Sequence, residues 1–128
     1  KTTMAFEAQS LELALLDIAK DVNESLKGLP FEFKIKIMGE DLRLDGITRN
    51  QTVRDFNQRD KAIGEILTAM VMKANPVTTV KAPSEKDQKL LWVVEKDPED
   101  PSKQVVLITT RQISEQKKYK LPPAFELK

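Results

Sequence analysis

The residues able to do chemistry in this chain are carboxylates, serines and cations, because it holds neither histidine nor cysteine. Two acidic clusters stand out. Glu40, Asp41 and Asp45 lie in one, and Asp97, Glu99 and Asp100 in the other. Oxygen clusters of this kind suit calcium, but the spacing D-x-[DN]-x-[DN]-G with a closing bidentate glutamate is not met. Both read as solvated turns, the second broken by Pro98 and Pro101. Without imidazole or thiolate a zinc site is disfavoured, and most nucleophile-activating arrangements lose their base. Ser10, Ser25, Ser84, Ser102 and Ser114 have no G-x-S-x-G setting. The four glycines are scattered and make no phosphate loop. No catalytic residue, cofactor site or metal site is assigned, and the expected activity is non-enzymatic.

The cations are equally undirected. Arg49, Arg54 and Arg59 interleave with Asp55 and Asp60, so local neutralisation is expected. Lys117, Lys118 and Lys120 flank Tyr119 in what reads as a solvated tail. With 21 basic and 20 acidic residues there is no bulk field to draw in nucleic acid or a membrane surface.

The elements that hold these groups follow from periodicity. In residues 60–75, Ile63, Ile66, Leu67, Met70, Val71 and Ala74 make one helical face. Asp60 is the expected N-cap, and Asn75-Pro76 the stop. An earlier helix begins after Ser10, with Leu11, Ala14, Leu15, Ile18 and Val22 as its buried stripe. Strands are expected at 2–8, 31–38, 52–56, 90–96 and 104–110. The clearest is 31–38 (FEFKIKIM), where Phe31, Phe33, Ile35 and Ile37 alternate with Glu32, Lys34 and Lys36. Those last three residues, on the wet face, are the candidate partner contacts, because an edge strand can accept an extended peptide through its backbone. Trp92 is expected in the core, its indole N–H finding an acceptor. Residues 39–51 read as a long loop anchored by Leu42, Leu44 and Ile47, with a turn at Asp45-Gly46. Residues 77–89 read as another loop.

The order is β-α-β-β-α-β-β, an α+β fold of two βαβ units whose two helices pack on small sheets. One domain is expected at 1–112, and an extended tail or linker at 113–128. No apolar run approaches the roughly 20 residues that span a bilayer. The chain starts at Lys1 and reads as a segment of a longer polypeptide.

Taken together, AFEAQSLELALLDIAKDVN, FEFKIKI, KAIGEILTAMVMKAN, LLWVVEKD and QVVLITTR resemble the STN domain. This is the secretin and TonB-dependent receptor N-terminal short domain. Gln9, Leu11, Ala14 and Leu15 fit the entry to its first helix, and Ala62, Ile63, Ile66 and Leu67 fit its second. The likeness spans residues 2–110, with longer connections at 39–51 and 77–89 than the family has. It implies two helices packed with two small sheets, in a periplasmic or cell-envelope module that binds a protein partner or assembles with itself. It carries no catalytic residue. The alternative is a small-ligand or nucleic-acid binding βαβ-repeat module, disfavoured by the missing GXXG and the balanced charge.

Overall fold

The computed structural model describes residues 2–25, 27–28 and 33–127. The chain folds as an α+β domain with the expected element order plus three short additions. Strand β1 (Thr2–Ser10) leads into helix α1 (Leu11–Ser25), strand β2 (Ile35–Ile37) and short helix α2 (Gly39–Leu44). Then come β3 (Thr52–Lys61), α3 (Ile63–Ala74), the hairpin β4 (Leu90–Lys96) and β5 (Gln104–Thr110), α4 (Arg111–Lys117) and a 3-10 turn at Pro123–Phe125.

The two strand–helix–strand units interleave. β1 pairs antiparallel with β3 in a two-stranded ribbon. β2, β5 and β4 form the second sheet in that order, β2 parallel and β4 antiparallel to β5. Each unit therefore gives its first strand to the ribbon and its last to the larger sheet. Between them sit the stripes read from the sequence: Leu11, Ala14, Leu15 and Ile18 of α1, and Ile66, Leu67, Met70, Val71 and Ala74 of α3. Met4, Val53 and Phe56 close the core from the ribbon. Leu91, Val93 and Leu107 close it from the sheet.

Local details follow from side-chain chemistry. Ser10 caps α1 as expected, its hydroxyl accepting from Leu13 N–H at 3.2 Å. Asp60 does not cap α3. It lies within β3 with φ 53°, its own N–H donating to Thr3 Oγ1 at 2.9 Å. Aspartate tolerates this left-handed conformation better than most residues. The register slips by one between Thr2 and Met4, so Asp60 marks a bulge. β3 runs past the expected stop at Phe56 because β1 keeps pairing with it.

Four further expectations are corrected. Among the described residues of the expected strand 31–38, Ile35–Ile37 are strand while Phe33, Lys34 and Met38 are not, and Phe31 and Glu32 lie outside the described residues. Residues 39–44 are helical rather than loop, helped by Glu40 and Asp41 in the first turn. Leu42 and Ile47 anchor that segment, while Leu44 is 67% exposed and anchors nothing. Gly46, at φ 73°, makes the turn that ends α2.

The fourth concerns the tail. α4 crosses the expected boundary at 112/113, capped by Thr110 Oγ1 accepting from Ile113 N–H. Residues 119–127 then return to the body. The two prolines do end the helix, but Phe125 follows them and is fully buried, its ring edge-on to Trp92 at 6.1 Å. Arg111 secures that return. Its Nη1 donates to Phe125 O at 2.7 Å and its Nε to Gln88 O at 3.2 Å. Its Nη2 donates to Pro83 O at 3.0 Å and Glu85 O at 3.2 Å. Trp92 is half-buried, packed against the core rather than within it, and its indole N–H finds the expected acceptor in Thr68 Oγ1 at 3.0 Å.

Arg111→Leu would strand four carbonyls and should cost at least about 3 kcal/mol, since each buried unsatisfied group costs about 1–3 kcal/mol. Phe125→Ala should cost about 3–5 kcal/mol as a buried aromatic truncation. Both changes release the same C-terminal segment. Urea unfolding of the double variant should therefore show a loss smaller than the sum of the two. Strict additivity would mean that the two contacts act separately.

Candidate functional site

Most of the acidic residues in the two clusters are used within the fold, the exception being Asp45, whose Oδ2 is buried without a hydrogen-bond partner among the described residues. Asp41 is buried and accepts from Thr109 Oγ1 at 2.7 Å, which ties α2 to β5. Glu40 pairs with Arg43 at 2.8 Å on the surface. At the hairpin tip Asp97 is only 2% exposed, not solvated as its turn-rich setting suggested. Its Oδ1 accepts from Glu99 N–H at 2.9 Å and from Lys36 Nζ at 3.1 Å, and Lys34 Nζ lies 3.8 Å from Oδ2. Asp100 accepts from Ser102 through both Oγ–H and N–H. Among the described residues no group of three or more carboxylates is placed to hold a metal ion. The arginines do not pair with the aspartates between them among the described residues: Arg49 faces Glu12 rather than Asp55 or Asp60.

These contacts set the local pKa values. The bond from Glu99 N–H, then the Lys36 ammonium, hold the Asp97 carboxyl below its usual range against the opposing effect of burial. The Ser102 hydroxyl and N–H lower Asp100. Glu99, then Asp97, raise Lys36.

Of the three candidate contacts, Glu32 lies outside the described residues. Lys34 is exposed, and Lys36 is held between Asp97 and Glu99, the latter at 3.0 Å. The lysine row of β2 thus receives the hairpin tip. What β2 leaves open is its backbone. Lys34 O accepts from Val106 N–H, and Met38 N–H donates to Ile108 O, both at 2.9 Å. In a parallel pair, alternate residues turn their peptide groups to the partner. Those of Ile35 and Ile37 therefore point away from β5, along the outer margin of the sheet. Among the described residues, the hydrogen bond these groups receive there is from Arg49 Nη2 to Ile37 O, a long 3.4 Å.

A groove of about 390 Å³ runs beside this margin. Leu15, Leu16 and Ala19 of α1 form one wall, with Ile35 and Ile37 as the floor and Pro98 of the tip opposite. Arg49 and Glu12 also line it. Leu16 is 56% exposed there, and Leu13 stands one turn away at 55%. A signal for this wall was present: both leucines fall outside the buried stripe of α1, where a solvated helix face would carry polar residues.

The opposite margin of the sheet is closed at its start. At the start of β4, Asn75 Oδ1 accepts from Lys89 N–H at 2.8 Å and Leu90 N–H at 3.1 Å. Gln88, fully buried, donates to Leu90 O at 2.6 Å. Side chains close that margin only at Leu90, since the outward peptide groups of Trp92 and Val94 receive no such bond among the described residues; what sets Ile35 and Ile37 apart is the groove beside them.

Comparisons with protein-family models, with curated proteins and with solved structures give no match. Function is therefore read from the geometry of β2 and its groove. No described helix is long and apolar enough to cross a membrane.

A carboxylate with a lowered folded-state pKa stabilises the fold above its unfolded pKa of about 4 and loses that contribution as pH falls through the folded value. Asp97→Asn should therefore lower the melting temperature at pH 7. It should also flatten the decline below about pH 5. An unchanged acid limb would show that Asp97 does not couple folding to protons.

Proposed function

We propose that this chain is a non-enzymatic protein-interaction or assembly module, and that it takes an extended segment of a partner protein along the outer margin of β2. The observation that carries the reading is the pair of outward peptide groups at Ile35 and Ile37, set beside an apolar groove. An added strand would exchange backbone hydrogen bonds with those groups and place alternate side chains against Leu15, Leu16 and Ala19. Because β2 is three residues long, the contact is short. Each net hydrogen bond contributes about 0.5–1.5 kcal/mol. Such a contact falls well below the area of about 1,200 Å² at which specific interfaces become stable. Binding through this margin alone is weak, which suits a transient partner or one of several contacts in an assembly.

The resemblance to STN domains supports a setting within a larger cell-envelope protein facing the periplasm. Two helices packed with a two-stranded and a three-stranded sheet agree with what that resemblance implies. The internal use of most of the clustered acidic residues favours binding over catalysis.

The test is a titration of the ¹⁵N-labelled domain with an acetylated, amidated Ser-Val-Ser-Val-Ser-Val peptide. Shifts should cluster at Ile35, Ile37, Leu16 and Ala19. Ile37→Pro removes an outward N–H, which an edge strand tolerates. Leu16→Asp changes a side chain that is already exposed. Either variant should keep the folded spectrum and lose the shifts. Shifts elsewhere, or none at millimolar peptide, would overturn the reading.

A further inference from the structure

The Arg49 guanidinium is placed beside the β2 groove but is poorly used. Its contact to Ile37 O is 3.4 Å and its approach to Glu12 Oε1 is 3.9 Å. Both exceed the roughly 2.7–2.9 Å of a good charge-assisted bond. The side chain is 46% exposed. Its backbone is fixed, since Arg49 O accepts from Glu12 N–H at 2.9 Å at the start of α1. Space for the guanidinium comes from Gly39, where a Cβ would lie 2.9 Å from Arg49 Nη2. The result is a planar fork of N–H donors at the Met38 end of the open margin, with most of its capacity unspent among the described residues. The other charges on the groove are Glu12 beside Arg49, and Lys36 with Glu99. Lys36 and Glu99 already satisfy each other at 3.0 Å.

We infer that Arg49 is a specificity-determining receptor for a carboxylate on the docked segment, at the end lying beside Met38. The inference rests on strand addition at β2 and names the chemistry of what is added. A segment running antiparallel to β2 would bring a carboxylate there from an Asp or Glu side chain near its start. A segment running parallel would bring it from its own C-terminus. A second copy of this chain fits less well. Antiparallel pairing of two β2 strands sets the row of Lys34 and Lys36 against its own copy, and like charges directly opposite destabilise a sheet.

The experiment compares three peptides on the intact domain, all built on the alternating Ser-Val sequence. One is neutral and blocked at both ends, one begins with Asp and is amidated, and one has a free C-terminal carboxylate. One acidic peptide should bind about tenfold tighter than the neutral one, and which of the two does so sets the strand direction. Arg49→Gln should erase that preference, so that the acidic and neutral peptides bind the variant alike. Gly39→Ala displaces only the far end of a flexible side chain and should do the same with the fold intact. Glu12→Gln should widen the preference by removing the competing carboxylate. Equal binding of all three peptides to the wild type would overturn the role of Arg49 and leave strand addition standing. Loss of neutral-peptide binding as well would overturn strand addition itself. A wild-type dimer by light scattering that Ile37→Pro renders monomeric would make the occupant a second copy, and would overturn the assignment to a partner segment.

Discussion

A single guanidinium holds the second half of this molecule in place. Arg111 is buried, and its hydrogen bonds run to main-chain carbonyls of three places in sequence: the loop around Pro83 and Glu85, the approach to β4 at Gln88, and the returning C-terminal segment at Phe125. Burial lowers its pKa from the ordinary arginine value, partly offset by Glu115, yet an arginine stays charged. A buried charge without several hydrogen bonds is costly, so the carbonyls must stay where they are. The loop after α3 can be irregular because this side chain, with Asn75 and Gln88, supplies the donors and acceptors that a sheet or helix would otherwise provide.

The two long helices, the hairpin and the α+β class were legible because they depend on periodicity. α3 shows every member of its predicted buried face from Ile66 to Ala74 in the core, and β4 and β5 pair as read. What sequence reading missed has no period. Arg111, Asn75 and Gln88 act through side-chain bonds to distant backbone, and nothing in their spacing announces the partner. Phe125 was hidden for a related reason. One aromatic after two prolines carries no pattern, although its burial decides whether the segment is a tail or part of the core.

The candidate site was legible only in outline. Residues 31–38 drew attention by alternation, and β2 does lie at a margin of the sheet. Alternation describes side chains, however, and here the lysine side chains meet the hairpin tip while the outward peptide groups stay open to the described residues. Which peptide groups face outward depends on the parallel register with β5, a long-range fact. The same holds for Asp97, which reads as a turn residue until the fold sets it against Lys36.

The interleaving of the two units has a kinetic side. β2 finds its hydrogen-bonded neighbour in β5, near the far end of the chain, and β1 must wait for β3. Closing such long loops is entropically expensive and slows folding relative to proteins built from local contacts. During synthesis the N-terminal unit emerges with both of its strands unpaired. Neither half is a domain in its own right, and a chain cut between α2 and β3 would yield two fragments that each need the other as template.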